Sequence, residues 1–334
     1  MVTRLPGEAR WIHLLEEPDD SNPLSPAGGR GLPLPWGIRE IKAPAVWKHS
    51  TGTKVRVAVI DTGIDYNHPD LRAASAGGIN LVSPGRAPWD DNGHGTHIAG
   101  TIAASARMGG MNGVAPDARI YAVKAFDHNG TAYVSDIVAG IEWCIRNRMD
   151  VINMSFGMKT PHRALEEAVK VAHRSGIVVV ASSGNEGRLS EIDYPARYRH
   201  TIAVGATTRG GRIAPFSNRG RQIDVYAPGD KVFSTWLGGG YRELSGTSMA
   251  TSHVSGVIAL LLSACPGLSP AAVKRLLVRG ATAVTRGSVR LRAGQTNALL
   301  SLRAALPPAS SALKAAASRP HSASSRTRIS KARR

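Results

Sequence analysis

Short apolar runs alternate with longer amphipathic segments along most of this 334-residue chain. The runs are rich in β-branched residues, too short for helices and mostly apolar throughout, as in parallel strands buried on both faces. Five strands are predicted, at residues 55–60, 120–123, 151–154, 177–181 and 202–204. Helical patterns occupy residues 95–106, 135–147, 163–175, 248–263 and 270–278. This alternation predicts an α/β fold, with a doubly wound, mainly parallel sheet sandwiched by helices.

Composition divides the chain into three parts. Residues 1–35 are rich in Pro, Gly and acidic residues, with one apolar patch at 11–15, and are interpreted as an N-terminal extension. Residues 36–304 carry the globular pattern and are predicted to form the folded domain. Residues 305–334 contain seven Lys and Arg and no acid among Ala and Ser, which is typical of a basic disordered tail.

The net charge of +18 raises the question of nucleic-acid binding. No aromatic residue interleaves with the charges of the tail, as a stacking platform would require, so no specific nucleic acid is expected. No apolar run of 18 residues occurs, so no membrane span is expected either. The two cysteines, Cys144 and Cys265, do not form a disulfide framework and are interpreted as separate core thiols. A monomer is expected.

The first ten residues contain no apolar stretch of the kind found in a secretory signal. Taken alone, this favours a cytoplasmic location. Secretion by another route is the alternative.

Three short islands carry candidate chemistry: Asp61-Thr-Gly-Ile-Asp65, His94-Gly-Thr-His97 and Gly246-Thr-Ser-Met-Ala250. They supply a carboxylate, an imidazole and a hydroxyl, the groups that turn an alcohol into a nucleophile for acyl transfer. The order Asp, His, Ser along the chain differs from the order in chymotrypsin and in α/β-hydrolases. A metal site at His94 and His97 is disfavoured, because the spacing is i, i+3 and no glutamate of the zincin type lies between them.

The same islands, extended, resemble the subtilisin-like serine peptidases (the subtilase family). The matching motifs are Asp-Thr-Gly-Ile-Asp with His-Pro-Asp-Leu (61–71), Asn-Gly-His-Gly-Thr-His-Ile-Ala-Gly-Thr (92–101), Ser-Gly-Asn-Glu-Gly (183–187) and Ser-Gly-Thr-Ser-Met-Ala-Thr-Ser-His-Val-Ser-Gly (245–256). The resemblance covers residues 36–284. It implies a serine endopeptidase that acts on polypeptides through an acyl-enzyme intermediate and needs no cofactor for the chemistry.

The resemblance also implies a role for each residue. Ser248 attacks the scissile carbonyl, His94 transfers the proton and Asp61 orients and stabilises the imidazole. The side chain of Asn185 and the backbone N–H of Ser248 form the oxyanion hole. Substrate binds as an added strand between two short segments. Those segments are Gly130, Thr131 and Ala132 on one side and Ser155, Phe156 and Gly157 on the other. Glu186 lies near the primary specificity pocket, where it would tolerate a basic side chain.

Two features depart from the family pattern. Asp70 resembles a calcium ligand, but Arg107 falls where relatives offer an oxygen, and a guanidinium cannot coordinate Ca²⁺. The structural calcium site is therefore expected to be absent or rebuilt, with Arg107 pairing with Asp70. The extension is short and resembles the leader of intracellular subtilisins, which suggests that residues 1–33 block the cleft.

Two other hypotheses stay open at this point. One is a catalytically silent binding protein on the same scaffold, since a fold does not fix a function. The other is a nucleic-acid-associated protein whose basic tail is the functional part.

Overall fold

The computed structural model describes residues 10–14, 32–187, 192–286, 289–290 and 292–306. The helices are α1 (Trp36–Glu40), α2 (His94–Ala103), α3 (Val134–Arg146), α4 (Arg163–Arg174), α5 (Thr247–Ala264), α6 (Pro270–Gly280) and α7 (Ala298–Ala305). The first seven strands are β1 (Arg10–Leu14), β2 (Arg56–Asp61), β3 (Ser75–Asn80), β4 (Arg119–Lys124), β5 (Thr131–Tyr133), β6 (Val151–Met154) and β7 (Phe156–Gly157). The others are β8 (Val178–Ser182), β9 (Ile202–Thr207), β10 (Val225–Pro228), β11 (Val232–Thr235), β12 (Tyr241–Leu244), β13 (Thr285–Arg286) and β14 (Val289–Arg290).

Seven strands form one parallel sheet in the order β10-β9-β8-β6-β2-β4-β3. Alternate residues of β2 enter different apolar clusters, Val57 and Val59 on one face and Ala58 and Ile60 on the other. The first cluster includes residues of α2 and α5, and the second includes residues of α3 and α4. Helices therefore cover both faces, which confirms the predicted doubly wound α/β fold.

All five predicted strands are present as β2, β4, β6, β8 and β9, and all five predicted helices are present with small shifts at their ends. The largest shift is in α2, which ends at Ala103 because Ala104 is extended and Ser105 donates its backbone N–H to Asp70 O at 2.9 Å. The pattern missed both edge strands of the central sheet. The sequence of β3, Ser-Ala-Gly-Gly-Ile-Asn, is half exposed and lacks a continuous apolar run, and β10 has only four residues and ends in a proline.

Helix α5 is the one helix of the described residues that is long and apolar enough to cross a membrane, and 83% of it is buried inside the protein. It packs against β6, β8, β9 and β10, as the central helix of a folded core does. Cys144 is buried in α3, as expected, whereas Cys265 caps the end of α5 and is only half-buried.

One strand lies outside the central sheet and outside the predicted domain. Strand β1, from the N-terminal extension, is the middle strand of a three-stranded antiparallel sheet in the order β5-β1-β7. Its Ile12 is fully buried in the apolar cluster that contains Phe126, Ala132 and Phe156. The extension thus contributes a side chain to the core, which its composition did not indicate.

Candidate active site

The sheet topology brings the three islands together at one edge. Asp61 is the last residue of β2, and Ser155 directly follows β6, whose Met154 pairs with Ile60 of β2. Helix α5 packs across both strands and places Ser248 in its first turn. The carboxyl ends of parallel strands are where open α/β sheets hold their ligands, so the position suits a reaction site.

The carboxylate of Asp61 binds the imidazole of His94. His94 Nδ1 lies 2.8 Å from Asp61 Oδ1 and 2.9 Å from Oδ2, and both side chains are fully buried. The backbone N–H of Thr62 also donates to Asp61 Oδ1, at 2.8 Å. An acceptor at Nδ1 favours the tautomer that carries its proton there, which leaves Nε2 able to accept a proton on the opposite side of the ring.

Glycines on both sides of His94 permit this approach. Gly93 has a φ of +111°, and a Cβ there would lie 2.4 Å from the ring of Trp236. A Cβ at Gly95 would lie 2.1 Å from Gly63 O. A larger residue at Gly93 would clash with Trp236, and one at Gly95 would push the start of α2 away from the turn that follows β2, so the packing requires glycine at both positions.

Ser248 lies where backbone N–H groups have no partner within the helix. Its Oγ donates to Ser155 O at 2.9 Å, so within the described part of the chain the hydroxyl is engaged with that carbonyl and not with His94. Catalytic hydrogen bonds are often absent or long before substrate binds. The Asp61–His94 half of the predicted arrangement is formed in this conformation, and the contact between His94 and Ser248 is not.

The amide of Asn185 is held in one orientation. Its Oδ1 accepts from Thr247 N at 3.0 Å and from Thr247 Oγ1 at 2.9 Å. A backbone N–H can only donate, so the oxygen must face Thr247 and the Nδ2 group must face away. This Nδ2 is buried and has no hydrogen-bond partner in the described structure. A buried donor without a hydrogen bond costs free energy. The amide that carries this donor is bonded to Thr247, the residue before Ser248.

The two segments expected to flank a substrate do flank an extended strand, but that strand is β1 of the same chain. Ile12 pairs with Ala132, and His13 pairs with both Thr131 and Gly157. Leu14 pairs with Phe156 and donates its N–H to Gly130 O at 3.4 Å. Ser155 follows the end of β6, and its backbone oxygen accepts a hydrogen bond from Ser248 Oγ. The position at which an added strand was predicted is therefore filled.

Glu186 is already paired. Its carboxylate lies 2.6 Å from Lys159 Nζ and accepts from Asn218 Nδ2 at 2.6 Å. Burial would raise the pKa of Glu186, but the hydrogen bonds from Lys159 and Asn218 outweigh it and lower the pKa. Lys159 also binds Asp193 at 2.7 Å, so the carboxylate that was expected to tolerate a basic substrate side chain already has a cation of the protein as its partner.

The expected pairing of Arg107 with Asp70 is wrong. Arg107 binds Asp117 at 3.1 Å, because the 105–111 loop directs its side chain outward, where it is 66% exposed. Asp70 Oδ2 instead accepts from Met111 N and from Tyr241 Oη, both at 2.8 Å. These two bonds engage one oxygen of the carboxylate, and Oδ1 is buried with no hydrogen-bond partner among the described residues. A Ca²⁺ site needs six to eight oxygens, and the described residues place no group of three His, Cys, Asp or Glu side chains here.

His97 does not face the same ligand position as His94. Its Nε2 lies 2.9 Å from Val232 O, a backbone oxygen of β11. Burial, with the nearby His94, lowers the pKa of His97 to about 3. The described residues contain no group of three His, Cys, Asp or Glu side chains placed to hold a metal ion.

Sequence reasoning missed the residues that support the site. Asp90 is fully buried and accepts from Thr62 Oγ1 at 2.8 Å, and Lys124 Nζ binds Thr62 O at 2.5 Å and Asp91 at 2.6 Å. The one available signal was the pair Asp90-Asp91 immediately before Asn-Gly-His. Acidic residues before a helix are so common that the pair alone indicates nothing more specific.

Comparison with known proteins gives concordant matches. A family model described as the subtilase family matches residues 52–296. Subtilisin E of Bacillus subtilis is 49% identical over 254 residues, which are 75% of this chain and 66% of the relative. Subtilisin of Bacillus pumilus is 49% identical over 254 residues and covered to 92%, and Subtilisin Savinase of Lederbergia lenta is 46% identical over 259 residues and covered to 94%. The chain thus spans just under two thirds of Subtilisin E and nearly all of the two shorter relatives.

The cytoplasmic location expected from the first residues is wrong, because these relatives are secreted subtilisins. The expectation was drawn from the first ten residues alone, of which the structure describes only Arg10. A targeting segment or another export route determines location, and the lack of an apolar stretch in ten residues excludes neither.

The fold, the order of the motifs and the relatives agree. The family match begins before β2 and ends after β14, and so contains Asp61, His94, Asn185 and Ser248. This chain belongs to the subtilase family.

Proposed function

We propose that this protein is a serine endopeptidase. The observation that carries the proposal is the buried Asp61–His94 pair, at the same edge of the sheet as a serine in the first turn of a helix and an asparagine with an unused amide donor. These are the parts that acyl transfer needs: a base with its orienting acid, a nucleophile and a donor for the developing negative charge.

The reaction follows from these positions. Ser248 Oγ turns from Ser155 O to His94 Nε2, gives up its proton there and attacks the scissile carbonyl carbon. Asp61 stabilises the imidazolium that results, and that imidazolium then protonates the leaving amine. Water repeats the sequence on the acyl-enzyme and releases the acid. Asn185 Nδ2 and the backbone N–H of Ser248 donate to the oxyanion in both halves.

A fluorophosphonate probe tests this directly. Wild type should be labelled on one serine, and Ser248→Ala should not be labelled. Ser252→Ala is the matched control, since Ser252 is buried in the same helix and its Oγ donates to Met249 O at 2.7 Å. Absence of labelling in a folded wild type from which residues 1–33 have been removed would contradict the proposal and favour the silent binding protein.

The substrate we infer is an extended polypeptide lying between β5 and β7. Both strands already pair with an extended segment in this way, and backbone pairing accepts many sequences. Because Lys159 neutralises Glu186, basic side chains should gain little at that pocket. Cleavage of a mixture of peptides, read by mass spectrometry, measures the preference, and a strong excess of cuts after Lys or Arg would contradict this.

The N-terminal extension is proposed to inhibit the enzyme. Strand β1 pairs on both sides with the strands assigned to substrate, and Ile12 is fully buried there. A substrate strand and β1 therefore compete for the same backbone groups. Deleting residues 1–33 should raise the initial rate of freshly prepared enzyme, and an unchanged rate would exclude inhibition.

Two further proposals concern stability and the tail. We infer that the loop around Asp70 holds no calcium, because Met111 and Tyr241 already donate to Oδ2 of its carboxylate and Arg107, which stands in the same loop, offers no oxygen ligand. We also propose residues 36–304 as the peptidase domain, with residues 305–334 dispensable for activity. The tail lies almost wholly outside the described residues, and its removal by truncation at residue 304, with kcat measured before and after, tests this boundary.

A further inference from the structure

Asp90 is a fully buried carboxylate that the proposed reaction does not use. Its Oδ1 accepts from Thr62 Oγ1 at 2.8 Å, Asn92 N at 3.0 Å and Gly93 N at 2.9 Å. Its Oδ2 accepts from Thr96 N at 2.9 Å and Thr96 Oγ1 at 2.5 Å. Burying a carboxylate is expensive unless its oxygens are satisfied, and here five donors satisfy it. One of the five belongs to the end of β2, and the others belong to the turn and the helix that carry His94.

The link to Asp61 passes through one hydroxyl. Thr62 Oγ1 accepts from Gly95 N at 3.0 Å, and its single proton can reach Asp90 Oδ1 at 2.8 Å or Asp61 Oδ1 at 3.3 Å. The shorter contact assigns the proton to Asp90. Among the described residues, Asp61 Oδ1 then accepts from Thr62 N and His94 Nδ1, each at 2.8 Å.

Without Asp90, the hydroxyl of Thr62 would be free to turn toward Asp61 Oδ1. It would then compete with His94 Nδ1 for the same oxygen and weaken the bond that orients the imidazole. The tie between Thr62 Oγ1 and Gly95 N would also loosen, and Gly95 is the neighbour of His94 in α2. Both effects act on the position of the imidazole and neither acts on a substrate contact.

We propose that Asp90, acting through Thr62, is a positioning residue for the Asp61–His94 pair. The proposal depends on the proposed peptidase function, since it concerns the rate of that reaction. Asp90 touches neither substrate nor the reacting atoms. It holds the acid at the end of β2 and the base at the start of α2 in one hydrogen-bonded unit, so that the two approach substrate in a fixed geometry.

Thr62→Val is the sharpest test, because it keeps the shape of the side chain and removes the hydroxyl that links Asp90 to Gly95 N, and it leaves no hydroxyl to compete for Asp61 Oδ1. We expect kcat to fall about 10- to 100-fold, the factor that corresponds to one hydrogen bond to a charged group, with KM within twofold. Thr62→Ser keeps the hydroxyl and should recover most of the lost kcat. Asp90→Asn should lower kcat by a much smaller factor in the Thr62→Val background than in wild type, because both substitutions break the same link between Asp90 and Thr62.

Thr101→Val is the matched control. Thr101 is also buried in α2, and its Oγ1 donates to His97 O at 3.2 Å, away from Asp61. Its kcat should stay within twofold of wild type even if its melting temperature falls as far as that of Thr62→Val. A kcat for Thr62→Val within threefold of wild type, or equal losses in Thr62→Val and Thr101→Val, would overturn the proposal.

Ser248→Ala separates this inference from the proposed function. If Ser248→Ala keeps its activity, the peptidase assignment itself fails. If it abolishes activity while Thr62→Val and Asp90→Asn remain fast, only the role of Asp90 fails. Should Asp90→Asn not fold, Thr62→Val still decides the question, since it leaves four of the five bonds to Asp90 in place.

Discussion

Replacing Ile12 by alanine tests whether β1 restrains the enzyme. The side chain of Ile12 is fully buried, whereas that of its neighbour His13 is exposed. Replacing isoleucine by alanine removes three buried methyl or methylene groups, each contributing about 0.8 kcal/mol. The free energy of docking β1 should therefore become less favourable by about 2.4 kcal/mol. That corresponds to roughly 50-fold in the equilibrium between docked and free β1.

The assay is the initial rate of peptide hydrolysis by freshly purified, full-length enzyme, with mass spectrometry confirming that the N-terminus is intact. If β1 is mostly docked in wild type, Ile12→Ala should hydrolyse faster by up to this factor, with the ceiling set by the fully open enzyme. The strand's backbone bonds to β5 and β7 remain, so the change isolates the apolar anchor.

His13→Ala is the control, because its side chain is exposed while its backbone pairs with Thr131 and Gly157. It should leave the initial rate nearly unchanged. If intact Ile12→Ala and intact wild type agree within twofold, while deletion of residues 1–33 raises the rate strongly, then the anchor argument fails. If the deletion also has no effect, β1 does not inhibit at all.

Three further outcomes are expected. Asn185→Ala should lower kcat about 10²–10³-fold with little change in KM, a magnitude taken from subtilisin itself, and an unchanged kcat would remove Asn185 from the oxyanion hole. A chelator should leave the melting temperature unchanged, because Asp70 is engaged by protein donors, and a clear fall in melting temperature would show a bound cation. Burial lowers the pKa of His97 to about 3 and that of His253 to about 4 in the folded state. In the unfolded state both imidazoles have the ordinary pKa of about 6.5, so the unfolded state binds protons first as pH falls. The free energy of unfolding should therefore fall as pH drops from about 6.5 toward 4. Urea titrations of Ser248→Ala across this range measure the slope, which should flatten in His97→Gln and would contradict the argument if it did not.

The glycines that allow close packing around His94 are visible in the sequence, because Gly93 and Gly95 adjoin it in the motif. The groups that a Cβ at either would meet, Trp236 and Gly63 O, are brought there by the fold. The expected pairing of Arg107 with Asp70 had no such motif behind it and failed. A long exposed side chain can reach several partners, and only the course of the 105–111 loop selects Asp117.

Sequence alone determined the parallel α/β architecture, since continuous β-branched runs bury well only between two layers of helices. It also indicated a candidate acid, base and alcohol, because each lies in a short motif of glycines and small residues that can be recognised by itself. Tertiary structure alone decided that β1 lies between β5 and β7, that Lys159 pairs with Glu186 and that Asp90 binds Thr62. Those contacts join positions from 27 to 144 residues apart, and the energy of such a contact depends on where the intervening chain runs, which local patterns do not specify.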